Sequence, residues 1–390
     1  MIRQKLAYLD KWLLVPYIIL LTLSIIMVYS ASSYMAVANE GNPYDFLRKQ
    51  VLFVILGIIL MFISAMMNTK YWQDMRLIKI AAGVIFILLV VVFFMAPING
   101  ARRWIPLGFM NLQPAELAKL FTVWYFSYIL SQKEHKTSEF KEFAQSMIAP
   151  TALLVVMAFI IWLQPDTGTP ITIAIVSYTM VVMSGIPLKK GFIMGAIGTG
   201  LILSAYNILY FFGHYIPGFS GSYGHGRFLA VRYPFKLMQS EGLQLVNSYQ
   251  ALANGGLTGV GISASIQKTG YLPEAHTDFI LSIIGEELGL VTIIGIILCM
   301  MVIISRIYII GIRSHESFYY FMCMGIGMLF FIQVCLNLGA VSGVLPITGV
   351  PFPFLSYGGS SLLMSSLSIG MVLNIRIRYR LSQHSQEGVA

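Results

Sequence analysis

Asp278 is one of a small set of acidic residues, within or beside long apolar runs, whose type could do acid–base chemistry. It stands in Tyr271-Leu272-Pro273-Glu274-Ala275-His276-Thr277-Asp278-Phe279-Ile280, where a polar loop gives way to a long apolar run. A carboxylate there can act as a general base or simply cap the helix that it begins. Glu274 lies four residues earlier, either beside that carboxylate or ordering the loop. Glu286 and Glu287 follow, roughly 12–14 Å deeper along a helix; adjacent residues cannot share one helix face, so at most one of them is expected to meet a ligand. Arg102 and Arg103 beside Trp104 form a pair able to hold a phosphate through bidentate bonds, or to contact lipid head groups. Glu116 and Lys119 stand three apart on one helix face, as an ion pair or a reactive couple. Asp166, in the turn Gln164-Pro165-Asp166-Thr167-Gly168, either caps the next helix or faces a ligand.

Metal and nucleotide chemistry find little support. His214, His225 and His276 are widely spaced, and no metal site is expected from them. Cys299, Cys323 and Cys335 sit in apolar runs and read as buried thiols. The run Gly255-Gly256-Leu257-Thr258-Gly259-Val260-Gly261 follows no strand and has no Walker lysine, so it is read as a turn or a close approach to a helix or to lipid, not as a nucleotide loop.

The elements that must position these groups are membrane helices. Of 390 residues, 57% are apolar and 11% charged, with mean hydropathy +0.78, against about 25% charged residues in soluble chains. About ten stretches reach the roughly 20 apolar residues that a span needs: 12–35, 47–67, 77–97, 114–132, 144–163, 168–187, 191–212, 278–305, 316–340 and 358–377. The first resembles a signal peptide but is long and is followed by further spans, so it is read as uncleaved. The expected fold is an all-α polytopic membrane protein, a single unit over 1–390, with one large extracytoplasmic loop at 213–277. Within that loop, Glu241–Ala253 is expected either as an amphipathic helix on the outer surface or as mobile chain.

Orientation follows from the basic residues. With both termini inside, most of the 25 Lys and Arg fall in cytoplasmic segments. The net charge of +9 is thereby a topology signal, and no nucleic-acid partner is expected. The candidate groups above gather on the outer side, while the inner halves of the spans hold almost nothing titratable. Since intramembrane charge is costly and usually functional, this asymmetry points to chemistry at the outer surface more than to passage through the bilayer.

The Tyr271–Gly289 run closely resembles the signature of the SEDS family of cell-wall polymerases, which includes FtsW, RodA and SpoVE. Four further segments agree: Asn99-Gly100-Ala101-Arg102-Arg103-Trp104-Ile105, Gln113-Pro114-Ala115-Glu116-Leu117-Ala118-Lys119, Gln164–Gly168 and Asn254–Gly261. So does the stretch from Gly343-Val344-Leu345-Pro346 to Ser356-Tyr357-Gly358-Gly359-Ser360-Ser361. Segment 270–284 leans towards FtsW, whereas 227–234 matches the family pattern only loosely.

The resemblance implies a multi-pass protein of the bacterial cytoplasmic membrane that polymerises lipid II into glycan strands and releases undecaprenyl pyrophosphate, in cell division or cell-shape growth. It places the family's essential acid on Asp278, as base for the acceptor 4-hydroxyl, with an oxocarbenium-like transition state at the donor carbon. Arg102, Arg103 or Lys119 would offset the pyrophosphate charge; a divalent cation (Mg or Mn) is the alternative, and no other cofactor is implied. The expected partners are a class B penicillin-binding protein transpeptidase and other division or elongation membrane proteins. A lipid II flippase and a non-enzymatic scaffold are the competing readings.

Overall fold

A computed structural model describes residues 8–38, 40–97, 101–133, 140–187, 189–198, 200, 204 and 225–387. Much of the expected seventh span, His214 and the Gly- and aromatic-rich start of the long loop lie outside these residues, as do Asn99 and Gly100.

The described chain is a helical bundle. Its helices are α1 (Lys11–Ala38), α2 (Asp45–Met66), α3 (Met75–Val91), α4 (Pro114–Lys133), α5 (Phe140–Trp162), α6 (Gly168–Val182), α7 (His225–Arg232), α8 (Leu243–Gly255), α9 (Ile280–Ile312), α10 (Ser317–Val341) and α11 (Gly359–Glu387). The one sheet among the described residues is a hairpin pairing β1 (Ile105–Pro106) with β2 (Asn111–Leu112). Seven helices are long and apolar enough to cross a bilayer: α1, α2, α3 with the turn that extends it to Phe94, α5, α9, α10 and α11. The expected span at 114–132 is helical but carries Glu116 and Lys119. The span at 168–187 ends at Val182 after 15 residues, about 22 Å against a hydrocarbon core of about 30 Å.

Helices α10 and α11 are central, with 78% of the apolar window of each buried against 22% for Met75–Phe94. In lipid, hydrophobic burial does not drive helices together, so close backbone approach takes its place. The long contact of α2 with α11 shows this: a Cβ on Gly370 would lie 2.2 Å from the Met61 carbonyl oxygen.

Helix α9 is broken. Gly289 adopts φ 80°, ψ 174° inside it, which frees backbone groups that hydrocarbon cannot satisfy. The Gly-rich run supplies partners: the N–H groups of Val260 and Gly261 donate to the carbonyls of Glu286 and Glu287, both at 2.9 Å, and that of Leu290 to Gly256 at 3.0 Å. A Cβ on Gly255 would fall 1.9 Å from the Gly285 carbonyl oxygen. The run is thus a seat for a broken helix. The expected helix at Glu241–Ala253 forms as α8 and packs on α9, where Ser248 Oγ lies 2.8 Å from Ser282 Oγ and donates to the Val341 carbonyl at 2.8 Å.

A buried polar cluster lies just before α1: Asp10 Oδ2 accepts from Arg306 Nη2 at 2.5 Å and lies 3.6 Å from Arg376 Nε. These residues are far apart in the chain and meet only where α1, α9 and α11 converge.

Candidate active site

A cavity of about 760 Å³ opens at the end of the bundle where α9 and α11 begin. Its wall includes Asp278, Glu274, Arg103 and Trp104, four of the residues singled out above.

Asp278 is half-buried in the turn before α9, which starts at Ile280. The capping position falls on Phe279, which makes no side-chain cap bond, and Asp278 stands one residue before it, outside the helix. Its backbone is held from below: Asn337 Nδ2, on α10, donates to the carbonyls of Asp278 and Val350, both at 2.9 Å. The preceding turn is closed by Glu274, whose φ of 57° lets its carbonyl accept from Thr277 and Phe279. Glu274 Oε2 also accepts from Thr277 Oγ1 at 2.6 Å.

Arg103 is buried, and the Gln164–Gly168 turn positions it. Its Nε donates to the Gln164 carbonyl at 3.2 Å and its Nη2 to the Pro165 carbonyl, which directs Nη1 toward Gly349. A Cβ built on Gly349 would stand 3.5 Å from Asp278 Oδ2 and 3.6 Å from Arg103 Nη1. Carboxylate and guanidinium therefore flank one glycine, whose φ of 71° disfavours any other residue. This places a proton acceptor and a fixed cation on the same stretch of cavity wall.

The other candidate residues serve the frame and are not among those lining the cavity. Arg102 is exposed, and its Nη1 donates to the Phe93 carbonyl at 2.9 Å. Lys119 and Glu116 form a buried ion pair of 2.8 Å within α4. Asp166 accepts from Thr169 N at 3.1 Å and Thr169 Oγ1 at 2.9 Å, which caps the start of α6. Glu287 is buried against Lys268 Nζ at 2.6 Å, with Ser30 Oγ at 2.7 Å. Glu286 binds Ser265 Oγ at 2.5 Å and the backbone N–H groups of Ile266 and Gln267. Neither glutamate faces the cavity.

The wall also contains Gln113, Tyr357 and Ser360, which the sequence reading met only within motif segments, Glu241, which it met only at the start of a loop helix, and Gly349, which it passed over. Ser360 Oγ accepts from Gln113 N at 3.0 Å and donates to the Asn111 carbonyl at 3.1 Å, tying the β1–β2 hairpin to the start of α11. Asn337 left a usable signal, being an amide inside an apolar span. Glu241 left none, since an acid in a polar loop is ordinary. Its carboxyl is held below the usual range by bonds to Ser240 and to its own backbone.

His276 lines the cavity but is itself buried, its ring 4.9 Å from that of Phe46 and 5.5 Å from that of Tyr357. Burial lowers its pKa, and the nearby Glu274 carboxylate only partly opposes this. The folded site thus holds the neutral ring, while an exposed histidine titrates near about 6.5. Below that pH the unfolded chain binds a proton that the folded chain does not, so stability falls as pH falls. The thermal midpoint of the purified protein is expected to be flat above about pH 6.5 and to drop toward pH 5; His276→Phe should reduce that slope. An unchanged slope would place the sensitivity elsewhere.

Comparison with known proteins identifies the family. The family described as cell cycle protein, covering FtsW, RodA and SpoVE, matches residues 11–381. The probable peptidoglycan glycosyltransferase FtsW of Haemophilus influenzae is 35% identical over 386 residues, spanning 98% of this chain and 94% of its own. Its counterpart in Lactococcus lactis is 36% identical over 397 residues, spanning 95% and 93%. Among solved structures, a chain from a peptidoglycan synthase complex that coordinates polymerization and crosslinking superposes with a TM-score of 0.74, at 23% identity over 95% of this chain and 98% of that one. The rod shape determining protein RodA of Thermus thermophilus gives 0.65 at 22% identity, over 94% and 96%. The chain belongs to the FtsW/RodA/SpoVE family.

Proposed function

We propose that the protein is a peptidoglycan glycosyltransferase that polymerises lipid II at the outer face of the bacterial cytoplasmic membrane and releases undecaprenyl pyrophosphate. One observation carries this reading: Asp278 and Arg103 flank Gly349 on the wall of a single cavity at one end of the bundle. The names of the relatives support it.

The residues divide the work. Asp278 takes the proton of the acceptor sugar hydroxyl as that oxygen attacks the donor's anomeric carbon. The bond to the pyrophosphate breaks with oxocarbenium character, and negative charge builds on the leaving group. Arg103 faces that charge from a fixed position, so it needs no reorganisation during the reaction. The start of α11, with Gly359, Ser360 and Ser361 on the wall, adds the positive end of a helix dipole. Among the described residues no three His, Cys, Asp or Glu side chains group to hold a metal ion, so no step is routed through one. A Mg or Mn ion, if one takes part, would arrive with the pyrophosphate that it neutralises.

The same reading takes the chain as one unit of about ten spans with both termini cytoplasmic, the cavity then facing outward. It also pairs the chain with a class B penicillin-binding protein transpeptidase and with other membrane proteins of division or elongation. The similar chain in a peptidoglycan synthase complex supports that pairing.

The test is direct. Purified protein with its transpeptidase is given labelled lipid II, and products are sized on a gel. Glycan strands are the expected result. Translocation of lipid II across vesicles without polymer would replace this reading by a flippase, and neither activity would leave a scaffold.

A further inference from the structure

The Asp10 cluster lies at the opposite end of the bundle from the cavity. Along α11, Arg376 is about 25 Å from Gly359, close to the thickness of a hydrocarbon core, so the cluster sits at the level of the other leaflet's head groups. Asp10 is the one acid at its centre. Its Oδ1 accepts from Trp12 N at 3.0 Å, and its Oδ2 faces both Arg306 and Arg376. The three side chains are 2%, 21% and 11% exposed, in the order Asp10, Arg306, Arg376. Arg313 and Arg380 are near enough to act on Arg376 electrostatically. One carboxylate therefore faces two guanidinium groups, with two more near Arg376.

Charge is not the only imbalance. The Nε atoms of Arg306 and Arg376 are buried and have no hydrogen-bond partner among the described residues. A buried donor without an acceptor is costly, and buried charge in excess of its partner more so. A tetrahedral phosphate reaching the outer nitrogens offsets the excess charge, because its several oxygens match guanidinium forks. We propose that the ends of α9 and α11 around Asp10 form a binding site for a phosphate-bearing anion, separate from the cavity and from the reaction there. An anionic phospholipid head group and free phosphate offer the same chemistry, and the experiment separates them.

The full chain, purified in detergent, is titrated with phosphatidylglycerol, with phosphatidylcholine or with inorganic phosphate, while the thermal midpoint and the lipid retained in native mass spectrometry are followed. Phosphatidylglycerol is expected to raise the midpoint saturably and to be retained, whereas phosphatidylcholine does neither. The double change Arg313→Gln with Arg380→Gln leaves the Asp10 bridge in place and should raise the half-saturating concentration about tenfold, a change of about 1.4 kcal/mol. Asp10→Asn removes the competing carboxylate and should lower that concentration, provided the variant folds; the arginine variant decides the matter if it does not. An equal, arginine-dependent shift with inorganic phosphate would make the source soluble and keep the site. No shift with either anion, or the same shift in the arginine variant, overturns the proposal.

Discussion

Replacing Asp278 by Asn is expected to slow glycan-strand formation by about 10²–10⁴-fold, the range that a general base contributes, while the protein remains folded. Asn has nearly the same shape and cannot accept a proton at neutral pH. The contact that holds this turn from α10 runs to the backbone carbonyl of residue 278 and is unaffected by the change. The loss should appear in the rate at saturating lipid II, with little effect on substrate binding, because proton transfer belongs to the transition state. Asp278→Glu, one methylene longer, should retain part of the activity. Sizing labelled products over time measures all three proteins. Strands from Asp278→Asn at the wild-type rate would remove this residue from the mechanism and move attention to Glu274 and Glu241, the other carboxylates on the wall.

Lys268→Met is expected to act on stability instead. Its ammonium lies 2.6 Å from Glu287 Oε1, with side chains 6% and 0% exposed, and Ser30 Oγ joins the pair at 2.9 Å from Lys268 Nζ. These contacts tie the loop before α9, and α9 itself, to α1. Removing one partner of a buried pair leaves an uncompensated charge and costs about 3–5 kcal/mol, whereas replacing both with apolar residues of similar volume is often close to neutral. Lys268→Met should therefore lower the thermal midpoint sharply, and adding Glu287→Leu should restore much of it. If Glu287 instead touched substrate, Lys268→Met would change KM at an unaltered midpoint. That outcome would return Glu287 to the candidate binding residues.

These two expectations differ in how far the sequence could support them. Asp278 was legible because a strong local motif surrounds it, and its neighbours in sequence are also its neighbours in the turn. Glu287 was visible as an acid in a span, but its partner was not. Lys268 reads as one more basic residue of an outer loop, and the contact is set by how that loop folds back on the broken helix. Asp10, Arg306 and Arg376 show the same limit more sharply, since the two arginines read alone as orientation signals and nothing local marks Asp10 as their partner.

What the sequence determined by itself is the solvent, the helices and the local turns. Runs of about 20 apolar residues have few places to go but a bilayer, backbone hydrogen bonding there enforces helix, and motifs such as Gln164–Gly168 encode their own geometry. What only the tertiary structure decided is which polar groups meet. Helices in lipid are apolar on most faces, so their periodicity carries little information about which side packs inward. The glycine between Asp278 and Arg103, the amide of Asn337 beneath Asp278 and the cation facing Glu287 depend on lateral packing of segments distant in the chain. Polar pairing inside the bundle settles that packing, and it is formed only once the helices are together.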